Sequence, residues 1–149
     1  AIYGPQARRT FDEDTPLLPV SPYGIGKLTI ERYLDYYATT AGLASVSLRI
    51  SNPYGPRATP AKGQGIIPIT LDRIRRGEPA VQVGDGSMIR DYIRAVVGQD
   101  FDVVRMPQPA TFVDHVVLDV DRFHREYGPD RDLSLADGIA DTWTRMTTP

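Results

Sequence analysis

Tyr23 and Lys27 stand four residues apart in "SPYGIGK", residues 21–27. On a helix that spacing puts both side chains on one face, a turn apart. A lysine ammonium beside a tyrosine favours the phenolate, because opposite charge stabilises the ionised form. A free phenol titrates near ~10, too high for a base at neutral pH. A neighbouring cation brings it toward the range where proton transfer to or from a hydroxyl is efficient. Gly24 and Gly26 flank the pair, and each glycine in a helix interior costs about 1 kcal/mol relative to alanine. Two explanations stand side by side. Bare backbone lets a ligand or another chain segment approach beside Tyr23 and Lys27, or the glycines serve close helix packing. Tyrosine and lysine also fall at this spacing by chance on many amphipathic helices, so the pair gains weight only from its surroundings.

The elements around it can be read from local signals. A helix is expected from Pro22 to about Thr40, with Ser21 as N-cap, Pro22 at N1 and Gly42 just past its end. Before it, residues 1–20 read mostly as loop, with a strand end at Ile2–Tyr3. After it, "ASVSLRISN" alternates Val46, Leu48 and Ile50 with small or polar residues, the period of a strand, and stops at the turn-rich "NPYGP". A short helix is expected over Pro68–Arg76, closed by Gly77. "AVQVGDGSMIRDYI" reads as a hairpin of two short strands around Gly84-Asp85-Gly86. A helix at Asp121–Tyr127 ends at Gly128. The last helix starts after Ser134, whose Ser134-x-x-Asp137 spacing is a capping-box variant, and carries Leu135, Ile139, Trp143 and Met146 along one face. This order predicts an α/β protein, yet only one strand suits a parallel sheet.

Composition narrows the chemistry. The chain has 149 residues, 41% hydrophobic and 24% charged, enough for one sizeable core. A net charge of −2 provides no basic stripe for nucleic acid or anionic lipid, and no apolar run reaches the length of a membrane span. There are no cysteines, which excludes disulfides and thiolate metal sites. His115 and His124 have no clustered ligands, so no metal site is expected and a structural or surface role is read for both. No signal peptide opens the chain, and a cytoplasmic location is the expectation.

"PVSPYGIGKLTIERYL" resembles the Tyr-x-x-x-Lys segment of the extended short-chain dehydrogenase/reductases. The likeness is closest to the NAD-dependent nucleotide-sugar epimerases and dehydratases. Other segments follow in that family's order. "AIYG" is similar to its V-Y-G, and "SLRISNPYGPR" to its L-R-x-x-N-x-Y-G-P-R. "GQGIIP" is similar to G-x-(I/V)-(I/V)-P, "VGDGSMIRDYI" to G-D-G-x-x-x-R-D-(F/Y)-(I/V), and "LDVDRFHREYG" to the family's closing L-D segment.

The resemblance implies roles residue by residue. Tyr23 would be the acid/base on a sugar hydroxyl, and Lys27 would hold the nicotinamide ribose and stabilise the phenolate. Ile50 and Ser51 would border the NAD cofactor. Asn52 would bind a nucleotide-diphosphate sugar, such as a UDP-hexose, near its diphosphate. Gly65 and Ile66 would contact substrate through backbone, Val81 and Val83 would wall the nucleobase, and Arg90 would pair with the diphosphate. Plainer readings accompany them: Asn52 caps a turn before Pro53, Arg90 is an exposed hairpin charge, and Val81 and Val83 only pack. Tyr33, Tyr36 and Tyr37 could form a packing face on the 22–40 helix, which in this family often makes a homodimer.

The implied fold is the C-terminal part of a Rossmann-type doubly wound domain plus a small α+β substrate-binding lobe. Residues 1–57 would carry the dinucleotide-binding remnant and 58–149 the lobe. The family's G-x-x-G-x-x-G phosphate loop is absent, and its catalytic Ser or Thr would fall ahead of Ala1. "RAVVGQDFD" replaces an acidic helix start, and Pro109 takes the place of an arginine that often binds diphosphate. The expectation is an epimerase or dehydratase shortened at the front and inside, with the 149 residues inactive alone. The alternatives are a non-catalytic relic or interaction module, and one half of a split enzyme.

Overall fold

Caps and stops locate the helices of the computed structural model, which describes residues 1–7, 10–55, 65–109, 116–129 and 133–148. Ser21 N-caps α1 (Pro22–Ala41), its hydroxyl accepting from the Gly24 N–H at 3.1 Å, and Gly42 closes it in the left-handed region at φ 65°. The chain divides into two compact units, residues 1–51 with 109–130 and residues 52–108 with 131–149.

In the first unit, β1 (Thr10–Phe11) pairs in parallel with β4 (Val117–Leu118), Phe11 opposite Leu118. Ile2, Tyr3 and Phe11 are buried, with Leu17, Val116 and Leu118 packed on them and the Tyr3 and Phe11 rings 5.0 Å apart. Here the structure corrects the reading of residues 1–20. Ile2–Tyr3 is not a strand; it is a buried plug, and the strand comes later, at Thr10–Phe11. Two-residue strands leave no periodicity to read. The helix α4 spans Asp121–Tyr127 and ends at Gly128, as its stop signal predicts.

The strand expected in residues 44–52 does not form. An extended segment becomes a strand only when a second backbone takes its hydrogen bonds, and no described residue pairs with this one. Val46, Leu48 and Ile50, the face that alternation marks as internal, are 68, 61 and 71% exposed. Along α1, only Gly24 is buried. Most helical stability in proteins comes from packing an amphipathic face, and α1 buries no apolar side chain against the described residues. The first unit therefore presents an apolar segment and a long helix that its own described residues do not cover.

The second unit has the larger core. The helices α2 (Ile66–Arg75), α3 (Ser87–Val97) and α5 (Leu135–Thr147) bury Ile67, Leu71, Ile74, Ile93 and Ile139 together. Each such side chain contributes about 1.5–3 kcal/mol. Leu135, Trp143 and Met146 join from α5, along the face that the sequence marks. Ser134 caps α5 by accepting from the Asp137 N–H at 3.1 Å, and its hydroxyl donates to the Asp137 carboxylate at 2.6 Å. α5 lies close to Tyr54, because a Cβ on Gly138 would come within 2.6 Å of the Tyr54 hydroxyl oxygen. Burial pushes that phenol's titration up.

The hairpin expected around Gly84-Asp85-Gly86 is a strand, a turn and a helix. β2 (Ala80–Val83) enters the turn and α3 leaves it. β2 then pairs in parallel with β3 (Val103–Met106), Ala80 opposite Val103, so α3 lies in the connection between the two parallel strands. The physical reason is in the spacing. Ile89, Ile93, Val96 and Val97 recur at helical intervals and all pack on the α2–α5 core. No helix among the described residues is long and apolar enough to cross a membrane.

Candidate active site

α1 brings Tyr23 and Lys27 together. Lys27 Nζ lies 5.3 Å from the centroid of the Tyr23 ring, within cation–π range. Both side chains are exposed, Tyr23 by 62%. A small cavity and an open cleft among the described residues of the second unit are lined by neither Tyr23 nor Lys27. The pair is thus assembled on an open surface.

The two glycines separate into two jobs. A Cβ on Gly24 would stand 2.7 Å from the Ala1 carbonyl oxygen and 3.0 Å from Pro19 Cβ, so Gly24 admits close backbone packing. A Cβ on Gly26 would meet nothing within 4 Å. Gly26 is three residues from Tyr23, on the neighbouring flank of the same face, and that flank is open. Gly26→Ala is expected to raise thermal stability by about 0.5–1 kcal/mol through helix propensity. Gly24→Ala should lower it by about 1–3 kcal/mol through overpacking. Thermal melts of both variants check this, and a stabilising Gly24→Ala would refute the close contact.

Sequence reading gave no role to Arg49, which ties this unit together. Its Nε and Nη2 donate to the Glu31 carboxylate at 3.1 and 2.8 Å. Its Nη1 donates to the Tyr3 hydroxyl and to the Glu13 carbonyl, each at 3.2 Å. The hydrogen bond with Glu31, reinforced by Tyr3, holds the guanidinium's titration above its ordinary value. One signal was present. Arg49 falls on the face of its alternating segment opposite Val46, Leu48 and Ile50, and Glu31 follows Lys27 by one turn.

In the second unit Ile66, Val81 and Arg90 line one small cavity with Gly86 and Gln82. Arg90 is therefore not an exposed hairpin charge. It stands on α3 with its side chain 22% exposed, and Asp91 accepts from its Nε at 2.9 Å. Val83 follows in β2. Gly65 is the N-cap residue of α2 at φ 84°, and a Cβ there would approach the Pro53 carbonyl oxygen at 3.4 Å. Asn52 is exposed at the start of this unit, and Ile50 and Ser51 are exposed at an end of the first. Arg57, Gly63, Gln64 and His115 lie outside the described residues.

The cavity measures about 20 Å3, room for about one water. A site for a small organic ligand is roughly 300 Å3 or more. An open cleft of about 350 Å3 lies elsewhere in the unit, but Glu78, Asp100 and Asp102 line it, the wrong charge for a diphosphate. Beside Arg90 the charge is also set locally. Hydrogen bonds from Ser87 hold the Asp85 carboxyl below its usual range, with Arg90 and Arg105 adding to the effect.

The tyrosine–lysine pair thus stands on one helix turn, in a unit that also holds a short parallel strand pair. Residues 1–96 match the model of the NAD dependent epimerase/dehydratase family, and the chain belongs to that family. It is 36% identical over 93 residues to a putative UDP-glucose 4-epimerase of Methanocaldococcus jannaschii, covering 62% of this chain and 30% of that one. To the dTDP-4-dehydro-6-deoxyglucose reductase of Escherichia coli it is 41% identical over 92 residues, 62% of this chain and 29% of that one. The crystal structure of Thermotoga maritima UDP-glucose 4-epimerase with UDP-glucose superimposes with a TM-score of 0.86 at 26% identity, over 98% of this chain and 60% of that one. The matched part thus spans about a third of these curated relatives.

Proposed function

We propose that this chain supplies the acid/base helix and the sugar-nucleotide lobe of an NAD-dependent nucleotide-sugar epimerase or dehydratase. The observation that carries the reading is Lys27 Nζ 5.3 Å over the Tyr23 ring, beside the open flank of Gly26. Tyr23 takes the proton of a sugar hydroxyl as its carbon is oxidised, and Lys27 holds the hydroxyl-bearing ribose of the cofactor and keeps positive charge beside the phenol. Bound NAD supplies hydride acceptance. Return of that hydride to the opposite face of the resulting ketone, with the proton given back to its oxygen from Tyr23, would yield the epimer, and loss of water from the ketone would yield the dehydrated sugar. The residues present suit the nicotinamide end only, since no G-x-x-G-x-x-G loop stands in the sequence to cradle a pyrophosphate.

In this reading residues 1–57 are the remnant of the dinucleotide-binding domain and residues 58–149 the substrate lobe. Arg90, Asn52, the Gly65–Ile66 backbone, Val81 and Val83 serve a nucleoside diphosphate, with Ile50 and Ser51 bordering the cofactor. The exposed Val46, Leu48 and Ile50 support completion by a nucleotide-binding half, in the same polypeptide or a separate one. Tyr33, Tyr36 and Tyr37, exposed on α1, support a homodimer through that helix. The 62% exposure of Tyr23 is what favours the other reading, a non-catalytic interaction module. Calorimetry on the 149-residue chain separates the parts. UDP-glucose is expected to give measurable binding and NAD none. Tight NAD binding would overturn the account of the missing cradle, and no UDP-glucose binding would overturn the lobe assignment.

A further inference from the structure

Gln82 is a polar side chain at a buried register of β2, 7% exposed between Val81 and Val83. Its amide orientation is fixed by chemistry. Nε2 donates to the Gly84 carbonyl at 3.2 Å, which can only accept, and Oε1 accepts from Arg90 Nη1 at 3.4 Å, which can only donate. The turn holds it from behind, since a Cβ on Gly86 would lie 3.3 Å from Gln82 Cγ. On the other side of the guanidinium, Asp91 takes Nε at 2.9 Å and Nη2 at 2.8 Å.

Five N–H groups are thereby partly assigned. Asp91 accepts from Nε and its carboxylate lies 2.8 Å from Nη2 as an ion pair, and Gln82 accepts from Nη1. One hydrogen on each terminal nitrogen keeps no partner among the described residues. We propose that Gln82 is a positioning residue. It stops rotation of the Arg90 guanidinium, so that the two remaining N–H groups stay presented as a fork for paired phosphate oxygens. The inference rests on the reading of Arg90 as the diphosphate ligand and adds the group that orients it. Asp91 alone would anchor one edge of the guanidinium; the Gln82 contact fixes the second terminal nitrogen.

Arginine-labelled ¹⁵N NMR of the full chain tests this without catalysis. In the unmodified protein the two Arg90 Nη signals should stay distinct at temperatures where those of the exposed Arg32 have merged. Arg90 exchanging as fast as Arg32 overturns the inference, whatever any variant does. In Gln82→Met, which keeps length and burial, the Arg90 signals should merge. UDP affinity should fall about fivefold while uridine affinity is unchanged. Distinct signals and unchanged UDP affinity in Gln82→Met, with Arg90→Ala still losing the advantage of UDP over uridine, would refute the role of Gln82 and leave the role of Arg90 standing. Arg90→Ala without effect on UDP would refute the diphosphate reading itself.

Discussion

Tyr23→Phe is expected to lower turnover by about 10²–10⁴-fold when the chain is joined to a strand–G-x-x-G-x-x-G–helix half of its family. The substitution removes one oxygen and keeps the ring on which Lys27 Nζ rests at 5.3 Å. Tyr23 is 62% exposed on α1, so the fold loses almost nothing with the hydroxyl. Loss should therefore appear in kcat, with affinity for the sugar nucleotide nearly constant, because a group acting only in the transition state leaves ground-state binding alone. Turnover kinetics with a UDP-hexose make the measurement. An unchanged kcat would remove the acid/base assignment and leave only the family relationship.

Gly4→Ala should be the most damaging single change to the first unit. Gly4 has φ 66°, in the region that side chains disfavour, and a Cβ there would lie 1.7 Å from the Leu18 carbonyl oxygen and 2.7 Å from its carbon. Strain and overpacking together cost about 2–6 kcal/mol. Among the described residues the unit's buried apolar side chains are Ile2, Tyr3 and Phe11, each contributing about 1.5–3 kcal/mol. The loss is thus a large share of what that core contributes. Hydrogen exchange should show the Asp119 amide, which donates to the Phe11 carbonyl at 2.8 Å, losing protection, while amides around Leu71 and Ile93 in the other unit keep theirs. Retained protection at Asp119 would show that Gly4 is not held against Leu18 in solution.

The elements legible in the sequence were those whose ends carry their own chemistry. Ser21, Pro22 and Gly42 bound α1, Gly128 stops α4, and Ser134 with Asp137 opens α5. A cap acts within one turn, so the information lies where the structure uses it. The Tyr23–Lys27 proximity followed for the same reason, being fixed by helix geometry alone. The misread elements depend on distant partners. Residues 44–52 have the alternation of a strand and no described backbone to pair with. The segment after Gly86 looked like the second arm of a hairpin, because Gly84-Asp85-Gly86 is a turn in either case. What decides is the core of α2 and α5, which takes Ile89, Ile93 and Val97 at helical spacing.

The sequence by itself therefore determined the family, the helix termini and the phenol–ammonium pair, because motif order and i, i+4 geometry are local properties. Only the tertiary structure decided that Gly24 packs on Ala1 while Gly26 stays open, that Arg49 gathers Glu31 and Tyr3, and that Gln82 reaches Arg90 across a strand–helix turn. Those facts rest on which atoms meet across a fold, and spacing along a chain does not encode the distance between segments that packing brings together.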